Sequence, residues 1–146
     1  MYGQTPVGSR SGVSVDYQTR LHERFPARPE SIAPLRRCVV GFAGSRGASD
    51  SQREDIALTV SEALSNVVLH AYAGQDSPGS MAVEAWVDGD RLEVTVRDDG
   101  IGMRPRDDSP GPGLGLGLIV RLTDHVEVES HNATPGVRMR MTFVIG

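Results

Sequence analysis

Between Met81 and Asp98 the chain reads M-A-V-E-A-W-V-D-G-D-R-L-E-V-T-V-R-D. Before the D-G-D triplet, Met81, Val83, Ala85 and Val87 alternate with Ala82, Glu84 and Trp86. After it, Leu92, Val94 and Val96 alternate with polar residues. A period of two is the period of a pleated strand, and Asp88-Gly89-Asp90 supplies a hairpin turn. Such a chain must build on an antiparallel ribbon with one apolar face, and other elements must cover that face. Parity adds a constraint. Asp98 shares the register of Leu92, Val94 and Val96, so it is aimed at the apolar layer. An acid placed there demands a partner.

The covering elements are legible as helices. Pro29-Glu30-Ser31 is a helix start, and Ile32, Leu35, Val39 and Phe42 follow at helical spacing up to the glycines at 44 and 47. Pro34 fits if it lies in the first turn. Asp50-Ser51-Gln52-Arg53-Glu54 is a second start, with Glu54 three residues after Ser51. This helix is expected to run to about Tyr72, stopped by Gly74. Ile56, Val60, Ala63, Leu64, Val67 and Ala71 form its apolar stripe, beside a polar stripe of Asp55, Thr59, Glu62, Asn66 and His70. Tyr17 to Ala27 is expected as an edge strand, and Leu114 to Asp124 as a helix entered from glycines. His125–Ser130 and Val137–Ile145 are expected as strands joined by N-A-T-P-G. The organisation expected is a mobile tail over residues 1–16 and one domain over 17–146. Its fold class is α/β: a two-layer sandwich with a mixed, mostly antiparallel sheet and helices on one face.

Composition narrows the function. A net charge of -4 speaks against a nucleic acid or an anionic membrane as the main partner. No apolar run approaches the ~20 residues of a membrane span, and the N-terminal stretch lacks the hydrophobic region of a signal peptide. Cys38 is the only cysteine, which fits a reducing cytoplasm and excludes a disulfide framework. Every basic side chain among the 15 Lys and Arg is arginine. Without lysine there is no Walker A lysine and no strand lysine of a protein kinase. If this chain handles ATP, it does so by other means.

Three short stretches stand out. The helix S-E-A-L-S-N-V-V-L-H-A-Y places Glu62 and Asn66 four residues apart on one face. The turn D-D-G-I-G-M follows the second hairpin strand. The run G-P-G-L-G-L-G-L, from Gly111 to Leu118, opens the third helix. By itself a Glu and an Asn four apart is usually a solvated helix face. Together, in this order, the three motifs resemble the ATP-binding domain shared by histidine kinases, gyrase B, Hsp90 and MutL. Within that family the chain looks most like the anti-sigma factor serine kinases, whose helix typically reads E-A-L-x-N-x-x-x-H-A-Y. The resemblance covers roughly residues 20–144.

The resemblance implies a role for each residue. Asn66 looks like the Mg2+ ligand, through its amide oxygen. Glu62 looks like the general base that takes the proton from a target serine. Asp98 would accept a hydrogen bond from the exocyclic amine of adenine, which selects against guanine. Gly100 and Gly102 would let the backbone turn under the base. Gly111, Gly113, Leu114, Gly115 and Leu116 would form a lid whose N–H groups hold phosphates. His70 fits either the phosphates or the helix end. Thr142 sits where the family often has an adenine-side threonine, but its parity groups it with Arg138 and Arg140, away from Met139 and Met141. Trp86 alternates away from the apolar stripe and is a candidate interface anchor.

These residues imply an ATP- and Mg2+-dependent serine protein kinase that sequesters a sigma factor and phosphorylates an anti-sigma antagonist, with a homodimer as the family precedent. The alternative is a non-catalytic nucleotide-binding module that sequesters a partner. Other classes fail on residues. The glycine run lacks dinucleotide spacing, and no zinc pattern or nucleophile elbow is present.

Overall fold

The computed structural model describes residues 19–76, 79–100, 116–130 and 136–145. The proposed tail over residues 1–16 lies outside them. The elements in chain order are strand β1 (Arg20–Pro26), helix α1 (Pro29–Ser45), helix α2 (Asp50–Asn66), strands β2 (Ser80–Asp88) and β3 (Arg91–Asp98), helix α3 (Leu116–Leu122), and strands β4 (His125–Ser130) and β5 (Val137–Val144). A single π-helical turn, Val67–Ala71, extends α2.

Local chemistry explains the helix ends. Pro29 opens α1, where its missing N–H costs nothing; Pro34 is not in the first turn as expected but lies inside the helix, where it removes the amide that would bond the Glu30 carbonyl. The end is a Schellman motif: Gly47 at φ +101 lets its own N–H reach the Gly44 carbonyl, while the Ala48 N–H reaches that of Ala43. Helix α2 begins one residue earlier than the sequence suggested. Its N-cap is Ser49, which receives the Gln52 N–H at 3.1 Å, while the Gln52 side chain accepts the Ser49 N–H at 2.8 Å. Ser51 and Glu54 take no part in this box. The same Gln52 donates to the Val144 carbonyl at 2.8 Å, so the cap also ties the helix start to the end of β5.

The sheet order is β1-β2-β3-β5-β4. Among the described residues every pairing is antiparallel, so the expected mixed character is absent there. Strand β1 holds the expected edge. The β2–β3 hairpin closes at Gly89 and Asp90, with Gly89 at φ +66. Register sorts the faces. Val83 lies opposite Val96, Ala85 opposite Val94, and these continue into Met139 and Met141 of β5. That row meets Leu35, Val39 and Phe42 of α1 and Ile56, Val60 and Leu64 of α2 in one core. Burying a core side chain of this size stabilises by about 1.5–3 kcal/mol, which is why the helices lie on this face.

The opposite face of the sheet is polar but not wholly exposed. Thr142 is buried there and donates to Glu93 at 2.7 Å, with Arg140 on the same carboxylate at 3.1 Å. Trp86 is half-buried on this face, between the guanidinium groups of Arg20 at 4.3 Å and Arg140 at 5.5 Å.

Candidate functional site

The site is built at the end of β3. Asp98 pairs with Met81 on one side and Val137 on the other, in the apolar row, and is 2% exposed. This is the inward placement that its parity required. One carboxylate oxygen, Oδ1, accepts the Gly100 N–H at 2.9 Å. The other, Oδ2, is buried and has no hydrogen-bond partner among the described residues. Burial pushes the Asp98 carboxyl above the ordinary carboxylate range. The Gly100 amide pulls against that shift, the neighbouring Asp99 charge adds to it, and the Val137 amide offsets part of it.

Gly100 is tight for a second reason. A Cβ there would overlap the Ala71 carbonyl and stand 2.9 Å from the Tyr72 ring. The acid turn therefore packs directly on the end of the helix that carries Asn66. A second glycine closes the turn from the other side. Gly136 has φ +110, and a Cβ on it would overlap the Asp98 carbonyl.

Asn66 is the last residue of α2 and is 3% exposed; Glu62, one turn earlier, is half-buried. The expected polar stripe is thus largely covered, for Thr59 is buried as well and donates to the Ile56 carbonyl at 3.1 Å. The helix does not continue as an α-helix to Tyr72, as the sequence suggested. It widens into the π turn directly after Asn66, a distortion that recurs at functional sites. His70 lies in that turn, and its carbonyl receives the Ala73 N–H.

Leu116 starts α3, is half-buried, and packs against the core. Gly102, Gly111, Gly113, Leu114 and Gly115 lie outside the described residues. Thr142 is not at the Asp98 site. Strand β5 pairs with β3 in unbroken register from Val137 to Val144, so no bulge turns Thr142 inward, and it stays on the polar face.

Sequence reasoning missed one participant. The Tyr72 hydroxyl donates to the Ser80 carbonyl at 2.6 Å and accepts the Asp99 N–H at 2.9 Å. Burial raises its pKa, and the Asp98 and Asp99 charges add to this, so the phenol stays protonated and can donate. Its only sequence signal was its position at the end of the H-A-Y triplet.

A buried carboxylate oxygen with no partner suits one ligand chemistry: a neutral, planar donor inserted from outside. The exocyclic amine of adenine is such a donor. The amide oxygen of Asn66 is a hard donor, the type of ligand a Mg2+ held mainly by phosphates and water takes. Among the described residues no cluster of three or more His, Cys, Asp or Glu side chains forms a self-sufficient metal site.

Comparison with known proteins gives the family. Residues 25–143 match the model of the histidine kinase-like ATPase domain, a span that includes all the candidate residues. The serine-protein kinase RsbW of Bacillus pumilus is 36% identical over 138 residues, covering 84% of this chain and 83% of that protein. RsbW of Bacillus subtilis is 34% identical over 137 residues, with 84% and 83% covered. Among solved structures, the RsbU and RsbW domains of a Mycobacterium tuberculosis protein superpose with a TM-score of 0.67 at 24% identity. That match covers 86% of this chain and 32% of the other, and it speaks for the fold alone. The SiaB–SiaC complex of Pseudomonas aeruginosa gives a TM-score of 0.57 at 14% identity, with 86% and 89% covered, again for the fold alone. With that family model matched over most of its length and relatives at 36% and 34% identity over 84% of it, the chain belongs to the histidine kinase-like ATPase domain family, among the RsbW-type serine-protein kinases.

Proposed function

We propose that this chain is an ATP- and Mg2+-dependent protein serine kinase that acts as an anti-sigma regulator. In this reading it holds a sigma factor inactive and transfers phosphate to a serine of an antagonist protein. The observation that carries the nucleotide part is the unpartnered Asp98 oxygen, buried at the end of β3 and backed by the Gly100 turn. Asp98 would receive the adenine amine. Asn66 would hold Mg2+, which supplies charge neutralisation at the phosphates. Glu62 would take the proton of the attacking serine hydroxyl, and its half-buried position leaves it reachable. Gly102, Gly111, Gly113, Leu114, Gly115 and Leu116 would enclose the phosphates. The serine-kinase names of the relatives support the reaction class. The roles of sigma factor and antagonist rest on the family resemblance, as do a cytoplasmic setting, a homodimer and a single domain over 17–146. Among the described residues no helix is long and apolar enough to cross a membrane.

The test is phosphate transfer from labelled ATP to candidate antagonists, run beside nucleotide binding by calorimetry. Asn66→Ala is expected to abolish use of Mg2+-ATP. Glu62→Ala is expected to keep nucleotide affinity and to lose transfer by about 100-fold or more, the usual worth of a general base. Undiminished transfer in Glu62→Ala removes Glu62 from that role. Nucleotide bound by the wild-type chain with no phosphoserine formed on any antagonist would favour the non-catalytic module.

A further inference from the structure

We infer that Tyr72 is the positioning residue for the adenine end of the site, its hydroxyl holding the Asp98–Gly100 turn in the one orientation that presents the free Asp98 oxygen. This rests on the nucleotide reading above. The phenol joins three separate pieces of chain. It ends the π turn of α2, donates to Ser80 at the start of β2, and accepts from Asp99 beside the acid. Its ring is also gripped. A Cβ at Gly79 would overlap the Tyr72 ring, and one at Gly100 would press on its Cδ1. The ring therefore fills the space between the two glycines, with its hydroxyl carrying one bond out and one bond in.

The π turn explains why residue 72 can do this. An extra residue in a helical turn rotates everything after it by roughly 100° relative to an uninterrupted α-helix. Asn66 keeps the phase of α2, whereas Ala71 and Tyr72 are turned onto the acid turn. The Ala71 carbonyl lies over Gly100, and the hydroxyl reaches past it to the Asp99 amide. Among the described residues no geometric hydrogen bond fixes the Asp98 Oδ2. The bond that orients the carboxylate runs from the Gly100 amide to Oδ1, and the turn carrying that amide is held by Tyr72.

The substitution Tyr72→Phe keeps the ring and removes both hydrogen bonds. The readout is the affinity for ADP and for IDP, measured by calorimetry with Mg2+. IDP carries a carbonyl where ADP carries the amine, and an N1–H where ADP has an N1 acceptor, so the ratio of the two reads the base edge that faces Asp98. We expect Tyr72→Phe to bind ADP about tenfold more weakly, the worth of roughly one hydrogen bond, with IDP affinity unchanged. Amide exchange at Asp99 should quicken. A merely structural role would weaken both nucleotides together and keep the ratio. An unchanged ADP-to-IDP ratio, or an Asp99 amide as protected as in the wild type, overturns the inference. If the wild-type chain binds neither nucleotide, the nucleotide reading fails instead, and the exchange of the Asp99 amide still decides whether the hydroxyl holds the turn.

Discussion

Replacing Asp98 with asparagine should raise stability and abolish function together. Asp98 is 2% exposed, and its Oδ2 has no partner. A buried acceptor left unsatisfied costs about 1–3 kcal/mol, and more when charged. Asparagine keeps the oxygen that accepts from Gly100 and puts a neutral NH2 in place of Oδ2; that group lacks a partner in turn, so the gain comes from removing the buried charge alone. We expect Asp98→Asn to be more stable by about 1–2 kcal/mol at neutral pH, a rise in Tm of about 3–6 °C for a chain of this size. The ligand sees the opposite. A charge-assisted hydrogen bond to the adenine amine is replaced by a donor facing a donor. Losing about 1.5–3 kcal/mol weakens ADP binding by about 10- to 100-fold. The sign with pH follows from the shift. Burial raises the folded-state pKa of Asp98, so the stability that its protonation contributes is fully present below the unfolded value of about 3.9 and is lost as pH rises through the folded value. The advantage of asparagine should therefore be largest at neutral pH and shrink on acidification toward that window. Thermal melts between pH 4 and 8, beside ADP titrations, are the assay. A variant less stable than wild type at pH 7, or one that binds ADP with wild-type affinity, refutes the reasoning.

Gly136→Ala places a Cβ against the Asp98 carbonyl at a φ of +110, so it should destabilise by about 1–3 kcal/mol and weaken ADP as the acid turn is displaced. A melt within 1 °C of wild type would show that the turn has room to give. Glu23 of β1 faces the helix layer beside Leu21 and Phe25, and its Oε2 is buried without a partner among the described residues. Burial raises its carboxyl pKa, with the His22 charge acting the other way, so Glu23→Gln should melt higher than wild type at neutral pH. The two melts should converge as pH falls toward about 4.3, the unfolded value; a difference that persists at low pH would point to packing instead.

Most of the frame was legible because it rests on period and caps, which are local. The alternation around D-G-D fixed the hairpin, and the same parity put Asp98 inward and Thr142 outward. The capping box of α2 was misplaced by two residues where two capping pairs competed. Ser49 with Gln52 prevailed over Ser51 with Glu54, and Gln52 is also the residue that bonds to Val144, a contact from across the chain that no window contains. The polar stripe of α2 was legible as a stripe, but not that Thr59 and Asn66 in it are buried. Helical spacing gives the side of a helix a residue lies on, not what covers that side.

By itself the sequence determined that a lysine-free chain would carry an acid at the inner end of a strand, and a glutamate and an asparagine one turn apart on a helix. Spacing alone fixes such facts, since pleat and helix repeat wherever the chain is placed. The tertiary structure alone decided that the helix would open into a π turn after Asn66, that Ala71 would lie over Gly100, and that Tyr72 would bridge Ser80 and Asp99. The Ala71–Gly100 and Tyr72–Asp99 contacts join segments that no local window contains, and they can form because Gly79 and Gly100 carry no side chain to occupy the space that Tyr72 and Ala71 fill.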